Sequence, residues 1–525
     1  MRRGATHRRP QRLPFGQHLL RRRRHTDLRR LAVRRRQSRH TRRRQSSGRK
    51  HEYRGASPAL GEPAESVPPA TLRARRHRLR LATVRSPLPA VDPVSAWAGN
   101  RPCGRAEPSR RSRFDRSGAA SPAPALSRSE RLRHHRPASP NNGDIVLETC
   151  VGLWTNRYFP AAVLAEQSKV LQDSGVVDGV LVPDQLAGFL PRQLWREENT
   201  PIASIVRDPD SAMDAFMVAP YIYAAAPRLN MHLTTDSIRR APSELIQSML
   251  TLAHITEGHA NFQIGGGEVK QTRPFGHPYK QGMSRMRDLM QIYRRAVETD
   301  GPFDYAGERW TFENAFLGNA NEHLPTLWGL GGGPRLTDCS TSFADGMAFT
   351  LPGAFSNPDQ VAEAVGSIRK EVEQKGRDPE AFRIGLWAAI LLHPDQSVLE
   401  KAFDNPLIKF FSAANGRVES RQWQAEGLPL PFPQGWAYYK DLLPNDTPDD
   451  LVDTILAATT REHVERSWFA GSPADVAAQM RPYLEAGIDW VLPFDYLPVV
   501  GDPADAPAAV GWMVDLCREL KSASK

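Results

Sequence analysis

The sequence predicts a (β/α)8 barrel over residues 142–525, in which a helix follows each strand of a closed parallel sheet. Eight short apolar runs support this prediction, because a loop and a segment of helical periodicity follow nearly every one of them. Most of these runs are apolar without alternation, as expected for strands that are buried on both faces. Gly and Pro separate the runs from the helical segments, where the chain has to turn.

The elements follow one another in a regular order. The predicted strands are 144–151, 176–182, 228–235, the run ending at Ile264, 325–330, 345–350, 382–392 and 490–494. Predicted helices separate them, among them 160–173, 214–226, 283–297, 359–374 and 472–486. Two stretches interrupt the repeat: an aromatic excursion at 303–316, predicted as an inserted loop or hairpin, and an insertion at about 396–468 that is rich in Trp, Pro and Tyr.

Residues 1–141 differ in composition from the rest of the chain. The first 140 residues contain 36 Arg, one Lys and 8 acidic residues, a net charge of +29, whereas the remainder carries 33 basic and 50 acidic residues. Such a segment buries too little apolar surface to fold, so we expect it to be disordered. It is either an arginine-rich arm that binds nucleic acid, a targeting peptide, or an artefact of a wrong start or reading frame. The near-absence of Lys favours the artefact.

The remaining composition excludes several protein classes. Four cysteines (Cys103, Cys150, Cys339 and Cys517) lack CxxC spacing, which fits a reducing cytoplasm and argues against a zinc site or a disulfide framework. No metal site is predicted. No apolar run is long enough for a transmembrane helix, and no standard secretory signal is present.

The stretch from Gly258 to Glu268 is the most informative of the chain. An apolar helical pattern ends near Gly258, a short buried strand follows, and Gly265, Gly266 and Gly267 then stop it. Glu268 would therefore stand at the carboxyl end of a strand, where barrels of this class carry their chemistry.

These segments resemble the bacterial luciferase-like superfamily of flavin- and deazaflavin-dependent oxidoreductases. Four stretches carry the resemblance, in the order expected for the superfamily: 179–184, 239–268, 327–346 and 471–491. Within it, Pro183-Asp184-Gln185-Leu186, the Asp236 to Pro242 pattern and Gly332-Gly333-Pro334 look most like the coenzyme F420 branch, notably phthiodiolone ketoreductases and methylenetetrahydromethanopterin reductases. The resemblance implies hydride transfer between F420 and a carbonyl or alcohol carbon, and a homodimer; FMN-dependent monooxygenases are the alternative.

The resemblance also implies a set of site residues. Asp184 would lie beside the deazaflavin ring, and Gln185 replaces a His that relatives use for proton transfer. A carboxyl group buried against the ring has a raised pKa, so Glu268 would exchange the proton. Gly267 would lie in the same cofactor site.

Two further stretches complete the predicted site. In the family, a non-prolyl cis peptide bond behind the ring falls in Leu233-Thr234-Thr235, at Leu233–Thr234 or Thr234–Thr235. His232 is interpreted as a structural strand residue. Backbone N–H groups of Gly332 and Gly333, the helix beginning at Pro334 and the charge of Arg335 would bind the phosphate of the cofactor. The aromatic insertion favours a bulky, apolar substrate.

Overall fold

Eight parallel strands form a closed barrel in the computed structural model, which describes residues 147–523. The barrel strands are β1 (Glu148–Gly152), β2 (Gly179–Pro183), β3 (Asn230–Asp236), β4 (Ala260–Gly265), β7 (Thr326–Leu330), β8 (Gly346–Leu351), β9 (Arg383–Leu392) and β11 (Trp490–Asp495). They pair in this order, and β11 returns to β1. The predicted (β/α)8 fold is therefore confirmed, while residues 1–141 lie outside the described part of the chain.

Three strands lie outside this ring. β5 (Phe303–Ala306) and β6 (Thr311–Ala315) form an antiparallel hairpin, so the excursion at 303–316 is a hairpin. The short strand β10 (Phe469–Gly471) was missed by the sequence prediction. It pairs with the second half of β9, because β9 is ten residues long and extends beyond its other partners.

Helices cover the outside of the barrel. Those that follow barrel strands or precede the next one are α1 (Ala161–Asp173), α2 (Ala215–Ala225), α3 (Pro242–Ile255), α4 (Val269–Thr272), α5 (Gly282–Glu298), α6 (Pro334–Phe343) and α7 (Pro358–Gln374). The predicted insertion is helical: α8 (Gln396–Asp404), α9 (Pro406–Asn415), α10 (Arg421–Ala425), α11 (Tyr438–Asp441), α12 (Asp449–Ala458) and α13 (Arg461–Glu465). After it come α14 (Pro473–Glu485), α15 (Leu497–Val500) and α16 (Ala506–Ala523). No helix of the described residues is long and apolar enough to cross a membrane.

The packing separates an outer core from a smaller inner one. The outer core fills the space between sheet and helices and includes Val182 and Leu233. The inner core fills the barrel with Cys150, Leu181, Trp328, Ala348, Trp490 and Leu492. Since side chains alternate along a strand, this division identifies which residues of each strand face the barrel interior.

An ion-pair network closes the amino-terminal end of the barrel. His232 Nε2 lies 3.1 Å from the Glu148 carboxylate, and Arg383 contacts both Glu148 and Asp489. Burial alone would raise the pKa of Glu148, but its bond to His232 and the nearby positive charges lower it to about 2. This arrangement supports the structural role predicted for His232, because this face of such barrels serves stability.

Candidate active site

The loop after β4 places Glu268 at the mouth of the barrel. Gly267 has a φ of +85°, a conformation that favours glycine. A Cβ atom on Gly282, at the start of α5, would lie 1.7 Å from the carbonyl oxygen of Gly266, so the two backbone segments touch. Glu268 then begins the short helix α4 as its N-cap residue. The glycine-rich turn thus fixes where the carboxylate emerges, as the sequence predicts.

Glu268 forms an ion pair with a residue that the sequence analysis missed. Its carboxylate contacts Nζ of Lys270, which is fully buried, while Glu268 keeps 28% of its side chain exposed. The ammonium group also lies over the ring of Phe189, 3.7 Å from the ring centre. A buried Lys is rare unless it is paired, so this contact identifies Lys270 as part of the site. In the sequence it resembles an ordinary polar loop residue.

Gln271 joins this helix to the loop after β2. Its Oε1 accepts hydrogen bonds from the backbone N–H groups of Leu186 and Ala187, and its Nε2 donates to the carbonyl of Ala187. The distances are 2.7, 3.1 and 2.7 Å, respectively. The loop that carries Asp184 and Gln185 is therefore fastened beside Glu268.

Asp184 is held by a buried polar network at the end of β2. Its carboxylate accepts a hydrogen bond of 2.7 Å from Thr235 Oγ1 and one of 3.0 Å from Arg239. Arg239 also pairs with Asp236 and donates to the backbone carbonyl of Asp184. Burial alone would lower the pKa of Arg239, but the two carboxylates raise it. The positively charged Arg239 thus links Asp184, which follows β2, to Asp236 at the end of β3.

The structure distributes the predicted β3 residues over both faces of the strand. Leu233 packs in the outer core, and Thr235 points toward Asp184 on the same face. Thr234 lies on the inner face, in register with Gln263 of β4. Only the side chain of Thr234 therefore faces the barrel interior; Leu233 and Thr235 could reach a cofactor through their backbone.

The predicted non-prolyl cis peptide bond is wrong for this structure. Both bonds between Leu233 and Thr235 are trans, and the cis bond found among the described residues is Leu351–Pro352. β3 remains a regular strand through this segment, paired with β2 on one side and β4 on the other. A regular ladder needs no cis bond, which would cost about 3–4 kcal/mol at a residue other than Pro.

Aromatic side chains line one side of the barrel mouth. We define the aromatic wall as Phe189, Trp387, Phe411, Phe494 and Tyr496. Ring-centre distances along it are 5.8 Å for Phe189–Phe411, 4.4 Å for Phe411–Tyr496, 5.2 Å for Tyr496–Phe494 and 6.4 Å for Phe494–Trp387. Trp387 donates a hydrogen bond to Gln263, whose buried Nε2 has no partner among the described residues. The wall therefore runs from Lys270 to the barrel interior.

Tyrosines near Glu268 keep their protons. Burial, together with the negative charge of Glu268, raises the pKa of Tyr438 and Tyr496. Burial also raises the pKa of Tyr279 to about 12, with smaller contributions from Tyr439, Asp441 and Glu268. These phenols therefore remain neutral hydrogen-bond donors, which leaves Glu268 and Lys270 as the charged pair beside the wall.

The predicted phosphate site lies at the amino end of α6. β7 ends at Leu330, and Gly332, Gly333, Pro334 and Arg335 are all exposed. Gly333 is the N-cap residue of this ten-residue helix. Pro334 has no N–H group, and those of Leu336 and Thr337 donate to the carbonyl of Gly333. An anion at this helix N-terminus would therefore meet the N–H groups of Gly332, Gly333 and Arg335.

A family model described as "Luciferase-like monooxygenase" matches residues 194–489, more than half of the chain. Phthiodiolone/phenolphthiodiolone dimycocerosates ketoreductase from Mycobacterium kansasii is 24% identical over 346 residues, which cover 64% of this chain and 91% of that protein. The 5,10-methylenetetrahydromethanopterin reductase from Archaeoglobus fulgidus is 23% identical over 49% of this chain and 74% of that protein.

Solved structures share the fold. An F420-dependent secondary alcohol dehydrogenase in complex with an F420-acetone adduct has a TM-score of 0.53 and 15% identity, covering 72% of this chain and 99% of that one. Coenzyme F420-dependent tetrahydromethanopterin reductase from Methanopyrus kandleri has a TM-score of 0.51 and 15% identity, covering 72% of this chain and 100% of that one. At this identity, the likeness establishes the barrel architecture.

Proposed function

Because the chain belongs to the luciferase-like monooxygenase family, we propose that it is a coenzyme F420-dependent oxidoreductase. Its reaction would move a hydride between the deazaflavin and a carbonyl or alcohol carbon of an apolar organic substrate. The ketoreductase and F420-dependent reductase named among its relatives support this proposal. The observation that carries it is the Glu268–Lys270 pair, which lies against Phe189, the residue of the aromatic wall that the loop after β2 contributes.

The residues present fit a planar, phosphate-bearing cofactor. The aromatic wall offers apolar surface for the ring and the substrate, and the buried Nε2 of Gln263 has hydrogen-bonding capacity to spare. The exposed glycines before α6 and the charge of Arg335 would hold the phosphate. The chemistry that F420 would supply, when bound, is the donation or acceptance of the hydride.

Proton transfer falls to Glu268 and Lys270. Reduction of a carbonyl adds a hydride to carbon and a proton to oxygen, and Gln185 cannot supply a proton near neutral pH. Nζ of Lys270 touches the Glu268 carboxylate and would supply a proton to it. Glu268, the more exposed partner, would pass that proton to the substrate oxygen; alcohol oxidation would run the same steps in reverse.

Asp184 would act by position. Its carboxylate already binds Thr235 and Arg239. We therefore propose that Asp184 holds the end of β2 in place beside the cofactor and takes no part in proton transfer. Gln185, half-buried in the same loop, would contact the cofactor through its amide.

Anaerobic turnover tests this proposal. Reduced F420 is mixed with the protein and a series of methyl ketones of increasing chain length, and cofactor oxidation is followed by visible absorbance. We expect stoichiometric formation of the secondary alcohol, with kcat/KM rising with chain length because the wall is apolar. An FMN-dependent monooxygenase would instead leave reduced F420 untouched and, in a parallel aerobic assay, consume oxygen with reduced FMN.

A further inference from the structure

A cluster of metal-binding residue types lies at the face of the barrel opposite the candidate active site. His254 is in the last turn of α3, which ends before β4 begins, and Glu322 and His323 lie in the loop that leads into β7. One ligand atom from each of the three side chains lies within 4.8 Å of the other two. The cluster is thus near the amino ends of β4 and β7, which pair directly, and far from the mouth that holds Glu268.

The loop that carries two of these residues is anchored on both sides. Tyr293 donates a hydrogen bond of 2.9 Å to the carbonyl of Pro325, and Ala320 is buried. Asn319 donates a hydrogen bond to the Glu322 carboxylate and so orients it. The imidazole rings of His254 and His323 lie 5.4 Å apart at 61°. The fold therefore fixes the backbone at both His residues while their side chains can still rotate, and a side chain outside the cluster contacts the carboxylate, as is usual around metal ligands.

The geometry points to a Zn2+ site. Two imidazoles and one carboxylate match the preferences of Zn2+, whereas Mg2+ and Ca2+ prefer oxygen ligands alone. Zn–N bonds of about 2.0–2.1 Å place tetrahedral ligand atoms roughly 3.3 Å apart, so the side chains must close by an ångström or so. His254 and Glu322 are exposed and His323 half-buried, which leaves them free to move and the ion free to enter.

We propose that His254, Glu322 and His323 bind one Zn2+ ion, with water in the remaining position. No catalytic residue proposed above lies at this face, so the ion would have a structural role. It would tie the segment after the β5–β6 hairpin to the end of α3, two parts of the chain that are otherwise separated by about 70 residues.

Zinc titration of the full chain tests the proposed Zn2+ site. The protein is prepared without a histidine tag and freed of metal by a chelator. Residues 1–141 contain eight histidines of their own, so the readout is the difference between variants. His254→Ala and His323→Ala remove ligands, while His259→Ala removes an exposed imidazole at the same face that lies outside the cluster.

We expect a one-to-one Zn2+ site whose affinity falls at least tenfold in His254→Ala and in His323→Ala and is unchanged in His259→Ala. Bound Co2+ should give a visible absorption band that these two variants lose, and Zn2+ should slow hydrogen exchange in residues 316–325 of the unaltered chain. Two results would overturn the proposal: equal Zn2+ affinity in the unaltered chain and His254→Ala, or a hydrogen-exchange rate in residues 316–325 that is the same with and without Zn2+. Neither result depends on F420 turnover.

Discussion

Lys270 is fully buried and pairs with the carboxylate of Glu268, two residues earlier in the chain. The pair is asymmetric, because Glu268 stays partly exposed while the ammonium lies against the ring of Phe189. The roles proposed above follow from this asymmetry: Lys270 would supply the proton, and Glu268 would meet the substrate.

Glu268→Gln should abolish most of the chemistry without loss of cofactor binding. The amide keeps the shape of the side chain but cannot relay a proton, so we expect kcat to fall by about 10²- to 10³-fold. The dissociation constant for F420, measured by fluorescence quenching, should change little. A variant that keeps full kcat would remove Glu268 from proton transfer.

The same substitution should also destabilise the protein more than removal of its partner. Glu268→Gln leaves a buried ammonium unpaired, which we expect to lower the free energy of unfolding by about 2 kcal/mol. Lys270→Met leaves only a partly hydrated carboxylate, so its cost should be smaller. The double variant Glu268→Gln/Lys270→Met should recover part of the loss in urea unfolding. Strictly additive losses would mean that the pair is not coupled.

Arg335→Ala should weaken cofactor binding while turnover at saturation is kept. Arg335 is exposed beside the amino end of α6, so it would lose one charge-assisted contact, worth about fivefold in affinity. Raising the salt concentration should reduce this difference. Arg421→Ala, at another exposed arginine, serves as the control and should leave the affinity unchanged.

Asp495 should make stability fall as pH rises. It ends β11 and accepts hydrogen bonds from the backbone of Leu392 and Leu497, but burial outweighs these bonds and raises its pKa from 3.8 to about 7. The folded state therefore favours the protonated acid. Stability is unaffected below about pH 4 and is lost between pH 4 and 7, at up to about 1.4 kcal/mol per pH unit.

Asp495→Asn tests this sign directly. The amide keeps the acceptor oxygen and carries no charge, so the variant should gain stability over the unaltered chain as pH rises from 5 to 8. Urea unfolding at both pH values measures the difference. Asp453→Asn, at an exposed position, controls for the loss of one negative charge. A difference that stays constant with pH would contradict the buried titration.

The sequence located the barrel because its signals are local. Apolar runs and turn residues mark strand ends within two or three residues, as at β3, predicted as 228–235 and found as Asn230–Asp236. β10 was not predicted because a strand of three residues shows no periodicity and because its pairing depends on the length of β9. The position of Glu268 after β4 could be predicted because glycines precede it directly.

The partners of Glu268 could not be predicted in the same way. Lys270 is buried by Phe189 from the loop after β2, and the aromatic wall takes Phe411 from the insertion. Such contacts join residues far apart in the chain, and no spacing rule reports them. The binding partners of Asp184 are likewise tertiary: Thr235 and Arg239 surround it only once β2 and β3 are paired.

Parallel titration of the full chain with F420 and with FMN shows which of the two cofactors the barrel binds. Fluorescence quenching of each cofactor gives its affinity and stoichiometry under the same conditions. We expect saturable one-to-one binding of F420, with FMN at least about tenfold weaker. Tight binding of FMN, together with no measurable binding of F420, would contradict this expectation.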